Sequence, residues 1–117
     1  MPQPTLEEIQ KRLARFRDER EWGQYHRPAS LANAVSVEAA ELIELFLWST
    51  PESEAGVLES RRADVEAELA DVMIQCLNFA AATGIDVLAA IERKIELNAE
   101  RYPVEKSRGR SAKYRDL

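Results

Sequence analysis

Two stretches of this chain read as helices that are apolar on every side, and each carries a pair of carboxylates inside its apolar run. In the first, Val35, Val37, Leu42, Ile43, Leu45, Phe46 and Leu47 point in nearly all directions around a helix axis. In the second, Val65, Leu69, Val72, Met73, Ile74, Leu77 and Phe79 do the same. A helix with no polar face must be covered on more than one side. A chain of 117 residues buries a core but not a deep one, and it has little material with which to wrap two such helices. Self-association supplies the missing cover, so the pattern predicts a homo-oligomer.

The embedded carboxylates are Glu38 and Glu41 in the first stretch, Glu68 and Asp71 in the second. Each pair has i, i+3 spacing, which puts both side chains on one helix face with Cβ atoms about 5–6 Å apart. Two like charges about 5 Å apart repel by on the order of 3 kcal/mol at an effective dielectric near 20. Residues 38–71 hold ten acidic side chains and only two basic ones, Arg61 and Arg62. A bound divalent cation is the simplest compensation. Carboxylate ligands without a nearby histidine favour a hard ion, Mg²⁺, with Mn²⁺ as the second choice. Acidic pairs of the same spacing also occur at Asp18/Glu21 and Glu41/Glu44, so one pair decides nothing. Two pairs on two apolar helices say more, although spacing alone leaves a solvated acidic surface open beside a cation site.

Helix signals dominate the rest of the chain. Thr5 and Glu8 form a capping-box pattern before Leu6, Ile9, Leu13 and Phe16, which share one face of a first helix fading near Trp22-Gly23. Ser30 is the predicted N-cap of a second helix running to about Trp48, stopped by Ser49-Thr50-Pro51. Residues 50–58 read as a polar loop around Gly56, and a third helix is predicted from Glu59 to about Ala82, before Thr83-Gly84. Asp86 caps a fourth from Val87 to about Arg101, ended by Tyr102-Pro103. The predicted architecture is all-α and four-helix bundle-like, with residues 1–103 as one domain and 104–117 as a basic C-terminal tail.

Composition narrows the function. A net charge of −5 argues against a partner that is a nucleic-acid polymer. One cysteine and one histidine rule out an internal disulfide and disfavour a zinc site, and Cys76 falls in an apolar pattern that reads as packing. No apolar run approaches the roughly 20 residues needed to span a membrane. The N-terminal MPQPTLEEIQ lacks the features of a signal peptide, so the expected compartment is cytoplasmic. A ferritin-like di-iron centre would need Glu-x-x-His on two helices, and the lone His26 falls in a loop. A non-catalytic helical interaction protein stays open as the rival class.

The carboxylate faces continue. Trp48 lies seven residues after Glu41, two turns or about 10 Å along the same predicted face. Gln75 and Asn78 follow Asp71 by four and seven residues. Together they describe a groove with a metal end and an end for a flat ligand. Lys94, Asn98 and Arg101 form a polar, basic stripe on the fourth helix. Taken singly, Trp48 also reads as a core aromatic and the stripe as a solvated face.

The runs VEAAELIELFLW (37–48), EAELADVMIQCL (66–77) and RKIELNAERYP (93–103) resemble the MazG-like all-α nucleoside triphosphate pyrophosphohydrolases. The family hallmark is E-x-x-E on one helix and E-x-x-D on the next. Here these fall on Glu38, Glu41, Glu68 and Asp71. The segment FRDEREWGQYHRP (16–28), Trp48 and the run SAKY (111–114) look like the dCTP pyrophosphatase branch. The resemblance implies Mg²⁺-dependent cleavage of a nucleoside triphosphate between the α- and β-phosphates, giving a monophosphate and pyrophosphate. It implies a tetramer, or failing that a dimer, with sites lined by more than one subunit. It makes Trp22, His26 and Trp48 candidates for the nucleobase pocket, and Lys94, Asn98, Arg101 and Tyr102 candidates for phosphate or sugar contacts. Gln75 stands where that branch carries a tyrosine, which exchanges a stacking contact for an amide.

Overall fold

The computed structural model describes residues 2–117 and is all-helical, with no strand among the described residues. Two compact units divide the chain, Met1–Gly84 and Ile85–Leu117.

In the first unit, α1 spans Leu6–Glu19 and starts as its capping pattern predicts, with the Glu8 N–H donating to Thr5 Oγ1 at 3.1 Å. Glu21 then turns the chain through a left-handed conformation into a single 3₁₀ turn, Trp22–Tyr25. Helix α2 spans Pro28–Glu44. Its start lies earlier than Ser30 because Pro28 takes the first helical position. There its fixed φ suits the helix and its missing N–H costs nothing.

The end of α2 departs further from expectation. The helix stops at Glu44 instead of reaching Trp48. Leu45, Phe46 and Leu47 donate to carbonyls three residues back, and the Ser49 hydroxyl donates to the Phe46 carbonyl at 2.6 Å. These tighter bonds replace the helical ladder, and Trp48 ends up in the left-handed region at φ +69°. The stretch read as a loop also differs. Thr50 donates to Ser53 Oγ at 2.8 Å and starts a short helix, α3, Glu54–Ser60. A break at Arg61, whose guanidinium reaches Asp64 at 3.0 Å, separates it from α4, Arg62–Thr83. Gly84 closes α4 at φ +70°, the left-handed cap that glycine adopts without strain.

The unit is organised by α2 packed along α4, with α1 and α3 against α4. Leu31, Leu77 and Ala80 form its buried centre. Much apolar surface of the two central helices stays outside it: Val37, Ile43, Leu69 and Met73 are each more than half exposed.

In the second unit, Asp86 Oδ1 accepts from the Ala89 N–H and caps α5, Val87–Arg101, as predicted. A short α6, Val104–Ser107, and a 3₁₀ turn, Tyr114–Asp116, follow. The basic segment is anchored: Tyr114 meets Tyr102 edge-on at 6.1 Å, and the Arg101 guanidinium lies 4.6 Å from the Tyr114 ring centre. No single helix is long and apolar enough to cross a membrane.

Candidate active site

The packing of α2 on α4 brings the two carboxylate pairs together. Glu38, Glu41, Glu68 and Asp71 each offer an oxygen, and these four atoms lie within 4.8 Å of one another. The i, i+3 spacing aims each pair from its own helix, and the helix contact closes the set. Glu38 Oε2 and Glu68 Oε2 are buried with no hydrogen-bond partner. Burial pushes the Glu38 carboxyl above its ordinary value, helped by hydrogen bonding to Glu41 and by the charges of Glu41, Asp71 and Glu68. Glu68 is raised in the same way, by burial first, then hydrogen bonding to Glu41, then the charges of Glu41, Asp71 and Asp64.

The two arginines of the acidic segment bring no relief in the structure. Arg61 is paired with Asp64 and Arg62 with Glu66, both outside the cluster. Leaving buried carboxylate oxygens unpaired is costly. The donor set is all oxygen, anionic and drawn from two rigid helices. It fits a hard divalent cation, and the two orphaned oxygens are where such an ion would be felt most.

Next to the cluster is a cavity of about 300 Å³. Leu13, Phe16 and Ile74 form its apolar side, and Arg17, Trp22, His26, Gln75 and Asn78 bring aromatic and polar groups. Trp22 is held edge-on against Phe16 at 5.7 Å. Gln75 lies one turn beyond Asp71 on α4, about 6 Å along the axis. Of the three candidates for the base pocket, Trp22 and His26 line this hollow, together with Gln75 and Asn78, the two amides that follow Asp71; Trp48 is not among its lining residues. Arg17 and Phe16 were not singled out. Their signal was present, since Phe16 and Arg17 lie three and four residues after Leu13 on α1.

Trp48 departs from the expected face: the helix that carries Glu41 ends at Glu44, and Trp48, seven residues after Glu41 in sequence, is 91% exposed. Lys94, Asn98 and Arg101 do share a face of α5, and Tyr102 caps its C-terminus. In that second unit Tyr102 lines an open hollow with Arg110, Ser111, Ala112 and Lys113.

Known proteins resemble this chain in sequence and fold. The profile of the MazG-like family matches residues 34–117, which include all four carboxylates. The chain is 41% identical to dCTP pyrophosphatase 1 of Rattus norvegicus and 39% identical to that of Homo sapiens. Each match covers 99% of this chain and 69% of the relative. A crystal structure of a pyrophosphatase from Archaeoglobus fulgidus superposes with a TM-score of 0.83 at 40% identity. That match covers 88% of this chain and 96% of the other.

Proposed function

The chain belongs to the MazG-like family, and on that premise we propose that it is a nucleoside triphosphate pyrophosphohydrolase that uses Mg²⁺, or Mn²⁺ in its place. The observation that carries the proposal is the carboxylate cluster, with one oxygen from each of four residues within 4.8 Å of one another and a buried, unpaired oxygen on each of Glu38 and Glu68. A protein with a purely structural role gains nothing from burying unpaired carboxylate oxygens between its two central helices.

Glu38, Glu41, Glu68 and Asp71 would hold the ion. When bound, it supplies neutralisation of phosphate charge and Lewis acidity at the phosphoryl centre. The protein's own part is positioning. The four carboxylates, fixed on α2 and α4, would hold the ion that meets the triphosphate, and a carboxylate oxygen can accept a hydrogen bond from the attacking water; as the water oxygen bonds to phosphorus, the bond between the α- and β-phosphates breaks to give a monophosphate and pyrophosphate. The hollow of Trp22, His26 and Gln75 takes the base, with a ring against the Trp22 face and polar groups at its rim. A pyrimidine deoxynucleotide, dCTP or a modified relative, is the preferred substrate, in keeping with what the rat and human relatives are named for. Lys94, Asn98, Arg101 and Tyr102 are the candidates for phosphate or sugar contacts.

The working form is a homo-oligomer, a tetramer in preference to a dimer. The exposed Val37, Ile43, Leu69 and Met73 support this, because a lone chain leaves them in water. The exposed Trp48 fits the same reading, as a side chain offered to a neighbouring subunit. A panel of nucleoside triphosphates with Mg²⁺, scored for pyrophosphate against orthophosphate, tests the assignment. Orthophosphate as the product, or full turnover in excess chelator, overturns it.

A further inference from the structure

The cavity beside the carboxylates contains a feature that the hydrolytic chemistry does not use. Asn78 Nδ2 donates to Gln75 Oε1 at 3.3 Å in a partly buried setting. Both side chains project from the middle of α4, three residues apart, and both line the cavity. A side-chain amide has one carbonyl oxygen and one NH₂ group. That bond turns the Gln75 oxygen toward Asn78, so the NH₂ group lies on the other side of the amide, although the oxygen keeps a second lone pair. Asn78 keeps its own Oδ1 free to accept.

Arg17 and the Trp22 indole N–H add donors to the rim, and the His26 ring can donate or accept. Arg17 only donates, and its Nε is already engaged with Asp18, which leaves the terminal nitrogens. No carboxylate lines the cavity. A ligand edge that meets this rim well has adjacent acceptors with a donor beside them. Cytosine has that edge, with O2 and N3 as acceptors and the N4 amino group as donor. Uracil and thymine put an N3–H where an acceptor is needed, and the unpaired buried donors that result are costly.

Resting on the reading that this cavity holds the base, we propose that Asn78 is a positioning residue, which fixes the Gln75 amide so that its N–H donors read the acceptor edge of cytosine against uracil and thymine. Asn78 acts through Gln75, and the pair on α4 presents an oriented amide where the resembled branch carries a tyrosine ring. Stacking tolerates every base. An oriented amide does not.

The test reverses the amide. In Asn78→Asp the new side chain can only accept, so the Gln75 NH₂ turns toward it and the Gln75 oxygen faces the cavity. The ratio of kcat/KM for dCTP over dUTP should fall by about 5- to 150-fold, the range expected when a buried donor loses its match. Asn78→Leu frees the amide without reversing it and should give a smaller fall. In a Gln75→Leu background, Asn78→Asp should leave the ratio unchanged, which a general packing defect would not do. Calorimetric titration with dCMP and dUMP reads the same preference without metal or turnover. A melting curve on each variant checks folding, and if Asn78→Asp does not fold, Asn78→Leu provides the comparison. The proposal is overturned if the wild type prefers dUTP or dTTP to dCTP, or if both Asn78 variants keep the wild-type ratio. If no nucleotide is hydrolysed but dCMP is still preferred over dUMP, and Asn78→Asp abolishes the preference, the hydrolase reading fails and the amide pair stands.

Discussion

Replacing Glu38 by glutamine should make the metal-free protein more stable and the Mg²⁺-saturated protein less stable, an inversion that a packing residue cannot produce. Glutamine keeps the shape of the side chain and removes its charge. In the cluster, the Glu38 oxygen lies within 4.8 Å of three other carboxylate oxygens. At that distance a single pair of like charges repels by about 3.5 kcal/mol at an effective dielectric of 20, and by about 0.9 kcal/mol in water. Glu38 is only half-buried, so screening by solvent pulls the value toward the lower figure. A gain of about 1 kcal/mol without metal is the working estimate, or roughly 4 °C in melting temperature for a chain of this size.

Metal reverses the order. Wild-type protein at 100 times its dissociation constant for Mg²⁺ gains about 2.7 kcal/mol. If the loss of one charged ligand weakens binding about a hundredfold, the variant gains only about 0.4 kcal/mol at the same concentration. Differential scanning fluorimetry or calorimetry, with chelator and with Mg²⁺, should show the two proteins changing places. An equal Mg²⁺-induced shift in both would refute the site. A variant less stable than wild type in chelator would refute the repulsion argument, because Glu38 would then be stabilising the fold by contacts of its own.

Other outcomes follow from the same geometry. Glu41→Gln or Asp71→Asn should lower pyrophosphate release by at least about 100-fold, as expected when positioned electrostatic groups are lost; turnover within a few-fold of wild type would place the chemistry elsewhere. The carboxyls of Glu38 and Glu68 are raised in the folded protein, so the stability they favour is present below the ordinary value of 4.5 and is lost as pH rises through their raised values. Metal-free wild type should therefore melt lower as pH climbs from 4.5 toward neutrality, while Glu38→Gln shows a flatter profile across that range. Light scattering at micromolar concentration should give a tetramer or dimer, and a monomer mass would undo the proposed cover for Val37 and Met73. Trp48→Ala should barely change stability, since the side chain is 91% exposed, yet weaken nucleotide binding by about 5- to 150-fold if it stacks on the base of a neighbouring subunit's substrate.

The parts of the molecule that were legible in the sequence are those fixed by short-range chemistry. Thr5 and Asp86 each bond a backbone N–H three residues on, so their helices start where the capping pattern says. Gly84 closes α4 for an equally local reason. The carboxylate cluster was legible because each pair is set by helical spacing and the apolar surroundings of both pairs demand that the two helices meet. Helix α3 was not legible. Its start depends on Ser53 bonding the Thr50 backbone, and a serine between a proline and a glycine reads equally well as a loop.

The same helical spacing puts Trp48 beyond Glu41 and Gln75 beyond Asp71, and the structure separates the two. The count from Asp71 to Gln75 holds because α4 runs unbroken to Thr83, and Gln75 lines the cavity. The count from Glu41 to Trp48 fails because the ladder gives way at Glu44, in a run whose side chains still look helical. What ends α2 is the Ser49 hydroxyl on the Phe46 carbonyl and the shorter bonds before it. Apolar periodicity records which side chains seek burial, and it keeps the same appearance whether burial comes from the chain itself or from a second copy. Leu47 and Trp48 satisfy the pattern and remain exposed, and Trp48 is held at a positive φ that a bulky side chain adopts only when its surroundings enforce it. An exposed, strained tryptophan just past the helix that carries Glu38 and Glu41 is a side chain aimed outward. That makes a neighbouring subunit the place to look for its contact.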